Sequence, residues 1–478
     1  EPIVPGPGFS GAIEAIDADL RDRMSSSWRP GCPVPLSELR YLSMDHWGFD
    51  GRERRGEMVV HEDVAKGVLE RRQAIKALIG DPGDTLFVTG LAGSKDDVLS
   101  GSDDRLFVDR VVDMLSNSQP KGGSVSLTVD RAAQDAAFNG LRALGAGTEG
   151  AVVALEPATG KILAMASNPS YDPNVLSSHD LSAVQDARKR LVGNEQGPMT
   201  NRSTQALYPP GSTFKLVTAA AAIESGQYNP DSRVPGGFEL DLPQTDNTLP
   251  NDGGGNCGGD RITLTQALMV SCNVSFGALA LQLGEEELRD QAEKFGFGDK
   301  YLDDLNGQAE SRFPTDPDEP QLAYSAIGQF DVAATPLQMA MVSAGIANGG
   351  TVMKPYLVDE VRSPNLDVLD KANPEPYRSA VSSSVARDLT QMMIEVVDQG
   401  TGQTAQIPGT KVAGKTGTAQ TSVDRNPYAW FVSFAPADDP QVAVAVLIED
   451  AGVARDAISG SGLAAPIAKR VMEAVMSR

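Results

Sequence analysis

A serine and a lysine three residues apart, at the head of an apolar segment, are the pair in this chain best suited to nucleophilic chemistry. They are Ser212 and Lys215, within Tyr208-Pro209-Pro210-Gly211-Ser212-Thr213-Phe214-Lys215. Two prolines and a glycine stop one element, and the apolar run opened by Ser212 reads as a helix through Ala222 that closes near Gly226. On a helix this spacing stacks both side chains on one face. The serine also lies near the positive end of the helix dipole, where developing negative charge is stabilised. An activated nucleophile beside an amine base has this layout. The pattern alone is weak, because an N-capping serine followed by a surface lysine gives the same letters.

Two further motifs follow in chain order. Ser271-Cys272-Asn273 comes after the amphipathic run Leu264 to Val270, and Lys415-Thr416-Gly417-Thr418 lies on a predicted strand within "VAGKTGTAQT". Each has a bland explanation: helix capping for Ser271 and Asn273, and a solvated edge-strand lysine for Lys415. All three in this order, at a helix start, a helix end and an edge-type strand, make chance a poor account.

The elements that must position these groups are legible. Ser124 to Thr128 reads as a strand leading into a helix, Asp130 to Leu144. Strands Ala151 to Leu155 and Ile162 to Ser167 are joined by the turn Glu156 to Lys161. Near the C-terminus come Val412 to Ala419, Ala429 to Ala435 and Val442 to Ile448, then a helix from about Ala464 to Met476. Strands at both ends with helices between predict an α/β (α+β) fold, one antiparallel sheet under a mostly helical layer carrying Ser212. Trp430 and Phe431 read as core.

The chain has 478 residues, enough for two or more domains, and an ordinary globular composition with 41% hydrophobic and 22% charged residues. A net charge of −23 argues against nucleic acid and anionic membrane surfaces as partners. No run of eighteen apolar residues occurs and the first residue is Glu1, as expected of a trimmed ectodomain without its anchor. Cys257 and Cys272 flank a Gly-rich loop and are disulfide candidates in an oxidising compartment, with Cys32 left over. Spacing cannot show that their Cα atoms come within bridging range, so two free thiols is the alternative.

The three motifs, with "GAVVALEPATGKILAMASNPSYDPN", "NRSTQALYPPGSTFK", "AIGQFDVAATPLQMA" and "AWFVSFAPADDPQVAVAVLIE", resemble the class B penicillin-binding proteins, over roughly residues 100 to 478. The likeness is to their actinobacterial members, and no glycosyltransferase domain is evident. The resemblance implies a five-stranded antiparallel sheet flanked by helices plus an all-helical subdomain. It implies a D,D-transpeptidase, inhibited by β-lactams and needing no cofactor or metal. Ser212 would attack the carbonyl between two D-alanines of a peptidoglycan stem peptide. Lys215 would take its proton, its pKa lowered by burial and by Lys415.

By the same resemblance Lys415, Thr416 and Thr418 would hold the terminal carboxylate. Gly417 would let the substrate strand approach. The N–H groups of Ser212 and Thr418 would form the oxyanion hole. Ser271 would relay a proton to the leaving D-Ala, and Asn273 would orient Lys215. The implied setting is the extracytoplasmic face of the membrane, with a cell-wall glycosyltransferase or divisome protein as partner. Competing readings are a β-lactamase or carboxypeptidase, a penicillin sensor and a non-catalytic scaffold. No Glu-x-x-x-Asn loop stands between Asn273 and Lys415 to supply a class A β-lactamase's deacylating water.

Residues 1–78 read differently. "SWRPGCPVPLSELRYLSMDHWGFDG…GEMVVHEDVA" resembles the N-terminal part of the zinc D-Ala-D-Ala carboxypeptidase and endopeptidase family. His46 and His61 lack the further ligands that zinc requires, so the segment is predicted to bind no metal. Expected within it are strands at Leu39 to Trp47 and Glu57 to Val60 and a helix at Glu62 to Ala77. Residues 79–123 read as a linker with a short helix near Leu106 to Leu115, and 124–478 as the transpeptidase domain.

Overall fold

The computed structural model describes residues 49–54, 57–60, 94–99, 101–107, 122–145, 147–176, 180–421 and 425–477. The chain divides into two compact units. One comprises residues 1–127, 170–199 and 358–371, and the other 128–169, 200–357 and 372–478.

The second unit is built on five strands: β1 (Glu149–Leu155), β2 (Ile162–Asn168), β3 (Ala413–Ala419), β4 (Tyr428–Ala435) and β5 (Val442–Asp450). Their spatial order is β3-β4-β5-β1-β2, and every neighbouring pair is antiparallel. Segments from early and late in this unit thus meet in one sheet, with β5 beside β1, and β3 left as an edge. The five strands expected from sequence are these five, with ends shifted by one or two residues.

Consecutive residues of a strand face opposite ways, yet all of Val442 to Ile448 is buried. Both faces of the sheet are therefore covered, which is why this strand is a continuous apolar run. Helices α1 (Arg131–Ala143) and, later in the chain, Ala465–Met476 lie on one face and on each other. In α1 the buried Ala133, Ala137, Phe138 and Leu141 recur at helical spacing, and the Asp130 carboxylate caps the start by accepting the Ala133 N–H at 2.7 Å.

The helical layer includes α2 (Lys215–Glu224), α3 (Leu264–Met269), α4 (Asn273–Leu283), α5 (Pro336–Ala347) and α6 (Ser383–Asp398), before the last helix, α7 (Ala465–Met476). Helix α5 packs on β5, β1 and β4, and α6 packs on β3, α2 and α3. Lys215 to Ile223 are buried without exception. Helix α2 is thus a central rod, and Ala221 joins Ala280, Leu288, Leu322 and Ala326 in one apolar cluster.

Strands Phe49–Arg54, Glu57–Val60, Ser124–Asp130, Val358–Arg362 and Val368–Lys371 form a second five-stranded sheet in that order, all of it in the first unit except residues 128–130. A helix, Leu181–Val192, is capped by the Asp180 carboxylate, which accepts the Ser182 and Ala183 N–H groups. The expected strand at Glu57 to Val60 is present. The expectations for Leu39 to Trp47, Glu62 to Ala77 and most of the 79–123 linker lie outside the described residues.

Candidate active site

Ser212 sits in a 3₁₀ turn, Gly211–Phe214, that runs directly into α2. The expected α-helix therefore starts at Lys215, not at Ser212. The tighter turn has three residues per revolution, so residues three apart eclipse one another. Ser212 and Lys215 are aligned more closely than on an α-helix.

Gly211 makes the bend possible, with φ at +54°. Its N–H donates to Gly328 O at 2.9 Å, and the approach is so close that a Cβ on Gly328 would lie 2.2 Å from Gly211 O. Tyr208 and Ala334 exchange both backbone hydrogen bonds, at 3.0 and 2.9 Å. Thr213 Oγ1 donates to Pro210 O at 2.7 Å, and the Trp430 indole N–H donates to Pro209 O at 3.0 Å. Trp430 is core, as read from sequence, but its one polar atom also holds the serine turn.

Lys215 and Lys415 are both wholly buried. Lys215 Nζ donates to Ser271 O and Asn273 Oδ1, each at 2.7 Å, and lies 3.3 Å from Ser271 Oγ. Lys415 Nζ lies 2.9 Å from the same Ser271 Oγ and 2.9 Å from Thr416 O. Residues distant in sequence thus meet at one hydroxyl. Ser271 has φ +61°, strained for a non-glycine residue, in the short connection from α3 to α4. The Cys272 N–H to Ala267 O bond at 2.8 Å holds that connection.

Electrostatics separates the two amines. Burial drives the Lys215 pKa well below the usual lysine range, and the Lys415 charge pushes the same way, while Asp252 opposes it weakly. Burial lowers Lys415 to about 7. Two ammonium groups sharing one hydroxyl in a buried site repel, which favours one charged and one neutral amine, and burial and the neighbouring charge both act on Lys215. Two fixed acceptors take two Lys215 N–H bonds, and a neutral amine then keeps a lone pair for an incoming proton.

Strand β3 carries the third motif in register with β4: Lys415 opposite Val432, Thr416 opposite Phe431, Gly417 opposite Trp430. A Cβ on Gly417 would lie 3.0 Å from Pro210 O and 3.0 Å from Thr213 Cγ2. On this side the residue packs closely against the serine turn. Thr416 is buried and its hydroxyl pairs with Thr401 at 2.6 Å. Thr401 and Gly460 are residues that sequence reasoning missed. A Cβ on Gly460 would lie 2.1 Å from Trp430 O and 2.8 Å from Gly417 O, so Gly460 is the backing of β3 at the motif. Neither has a motif of its own, and only contact reveals them.

Cys257 and Cys272 are joined as a disulfide. Asn251 sits beside it, accepting the Val274 N–H at 3.1 Å and donating to Gly237 O at 2.7 Å and Gly255 O at 2.9 Å. Asn273 Nδ2 donates to Pro250 O at 3.0 Å, which leaves its carbonyl oxygen turned to Lys215. A separate brace supports the approach to the serine. Arg202 binds Glu149 at 2.8 Å and Glu449 at 2.9 Å, and Tyr208 OH donates to Glu449 at 2.9 Å. Burial and the Glu449 carboxylate push the Tyr208 pKa up, so it remains a donor.

Residues 150–473 match the model of the penicillin-binding protein transpeptidase domain. The chain is 44% identical over 393 residues to the peptidoglycan D,D-transpeptidase PbpA of Mycolicibacterium smegmatis, covering 81% of this chain and 79% of that protein. The ceftriaxone acyl-enzyme complex of penicillin-binding protein A from M. tuberculosis superposes with a TM-score of 0.77 at 41% identity, over 81% of this chain and 88% of that one. The D,D-transpeptidase domain of a peptidoglycan glycosyltransferase from Eggerthella lenta matches with a TM-score of 0.70 at 31% identity, over 88% and 95%.

Proposed function

The chain belongs to the penicillin-binding protein transpeptidase family, as a class B member, and from that premise we propose how its residues do the chemistry. The protein is a peptidoglycan D,D-transpeptidase that works through a serine acyl-enzyme and is blocked by β-lactams. The observation that carries our assignment of roles is the shared Ser271 hydroxyl, 3.3 Å from Lys215 Nζ and 2.9 Å from Lys415 Nζ.

In the proposed sequence, neutral Lys215 takes the Ser212 proton as Oγ attacks the carbonyl between the two D-alanines. The N–H groups of Ser212 and Thr418 receive the oxyanion, where one lost donor typically costs about a hundredfold or more. The C–N bond breaks and the proton reaches the leaving amine through Ser271 Oγ. An acceptor amine then attacks the acyl-enzyme and Ser212 recovers its proton. Lys415 has no exposed surface, so its charge acts on the substrate carboxylate across short range. The hydroxyls make the direct contact: the Thr401–Thr416 pair shares one proton and keeps the other O–H for the carboxylate.

The substrate places this work outside the cytoplasm. Among the described residues no helix is long and apolar enough to cross a membrane. We extend the proposal to the membrane's outer face and to a partner that polymerises glycan, because cross-linking acts on newly made strands.

Intact mass after incubation with benzylpenicillin tests the assignment. The parent gains one stable adduct and Ser212→Ala gains none. An adduct that persists on the variant would put the nucleophile elsewhere, and rapid release of hydrolysed drug would make this a β-lactamase.

The pH dependence gives a second test. Acylation needs Lys215 neutral and Lys415 charged. Burial and the neighbouring Lys415 charge hold Lys215 well below the usual lysine range, whereas Lys415 loses its proton as pH rises through about 7. The second-order acylation rate constant, which reports the free enzyme, is therefore expected to fall as pH rises above about 7. A rate that climbs steadily to pH 9 would contradict a charged Lys415 in the active form.

A further inference from the structure

We propose that Phe330 is a specificity-determining residue that offers an apolar face to the acyl half of the donor, on the side of Ser212 away from Lys415. The inference rests on the reading of Ser212 as the acylated residue. Phe330 has φ +60°, a left-handed backbone that strains a bulky side chain. It is nonetheless 52% exposed, so packing in the core does not offset the strain. Glycine would adopt that backbone freely. An outlier of this kind points to use at a site.

The loop is stitched down on both sides of the ring. Gly328 N–H donates to Ser325 O at 2.9 Å, Gln329 N–H to Tyr324 O at 3.1 Å and Val332 N–H to Gln329 O at 3.3 Å. Asp331 pairs with Arg312 at 2.8 Å. Its place is set by the 2.9 Å bond from Gly211 N–H to Gly328 O. Gly211 in turn packs on the far end of β3, where an added Cβ would lie 3.0 Å from Ala419 Cα and Thr418 O. Lys415 lies four residues back along that strand, about 13 Å away at roughly 3.3 Å per residue. The leaving D-Ala carboxylate is drawn toward Lys415, so the acyl portion extends toward Ala419 and the Phe330 loop. An alkyl or aromatic acyl side chain is the chemistry that an exposed ring would recognise.

Acylation rates of the parent, Phe330→Gly and Phe330→Ala would be compared with two penicillins, alongside melting temperatures. Benzylpenicillin carries a phenylacetyl side chain, and 6-aminopenicillanic acid has none. Phe330→Gly is expected to melt at or above the parent temperature while its benzylpenicillin rate drops about tenfold, in the range of one lost apolar contact. Its rate with 6-aminopenicillanic acid should stay within twofold, and Phe330→Ala should show the same selectivity. Equal changes for both drugs, or none for either, would overturn the proposal, as would a marked fall in melting temperature in both variants. An unmodified parent would count against Ser212 itself, whereas a modified parent with unchanged selectivity would count against Phe330 alone.

Discussion

Lys215→Met is expected to slow acylation by benzylpenicillin by about a hundred- to ten-thousand-fold, the usual share of a general base. Methionine has similar length and no polar head, so it fills the fully buried position without a cavity. Two opposing changes follow in stability. Ser271 O and Asn273 Oδ1 lose their donor, at about 1–3 kcal/mol for a buried orphan. Against this, an amine that burial strongly disfavours in its charged form is removed, together with its repulsion of Lys415. The melting temperature should therefore move by only a few degrees while the rate collapses. Stopped-flow acylation and calorimetry on one preparation would check this. A variant acylating at more than a tenth of the parent rate would remove Lys215 as the base.

Gly460→Ala is expected to cost both stability and rate, although Gly460 is remote in sequence from every motif. The new Cβ would lie 2.1 Å from Trp430 O, 2.8 Å from Gly417 O and 3.0 Å from Gly417 N. All three are backbone atoms in the paired strands β3 and β4, so none can swing aside as a side chain does. Either the turn Gly460–Ala464 lifts away, or β3 moves at Gly417 and carries the Thr418 N–H with it. Misplacement of about 1 Å at a catalytic group can cost about a hundredfold, and overpacking of a tight core costs about 1–3 kcal/mol or more. The expected result is acylation slowed at least about a hundredfold with a clearly lower melting temperature. If the variant melts and acylates like the parent, β3 is not held from this side.

The sequence alone carried most of the scaffold, because its signals are local. The Val442 to Ile448 run and the helix read from Asp130 to Leu144 each report a nearby energetic preference. The three motifs were legible for the same reason: each is a few contiguous residues whose types suit one chemistry. The family likeness added the five-stranded sheet and the reaction, which the comparisons bear out.

What tertiary structure decided is whatever depends on two distant segments touching. That Ser271 Oγ lies between two buried amines is a fact about α2, α3, α4 and β3 together. The joining of Cys257 to Cys272, left open by spacing, needed the Cα separation of 5.8 Å. That Gly417 also backs onto the serine turn shows only in the fold. Thr401 and Gly460 carry no pattern, because a hydroxyl partner or a missing Cβ matters only against a neighbour brought by the fold. Ser212 was placed on an α-helix from the Pro-Pro-Gly stop and the apolar run after it, but its turn, Gly211–Phe214, is 3₁₀ and is tied through Gly211 N–H to Gly328 O. Local chemistry is written in residue order, whereas burial and proximity, which set the lysine charges, exist only once the chain has folded.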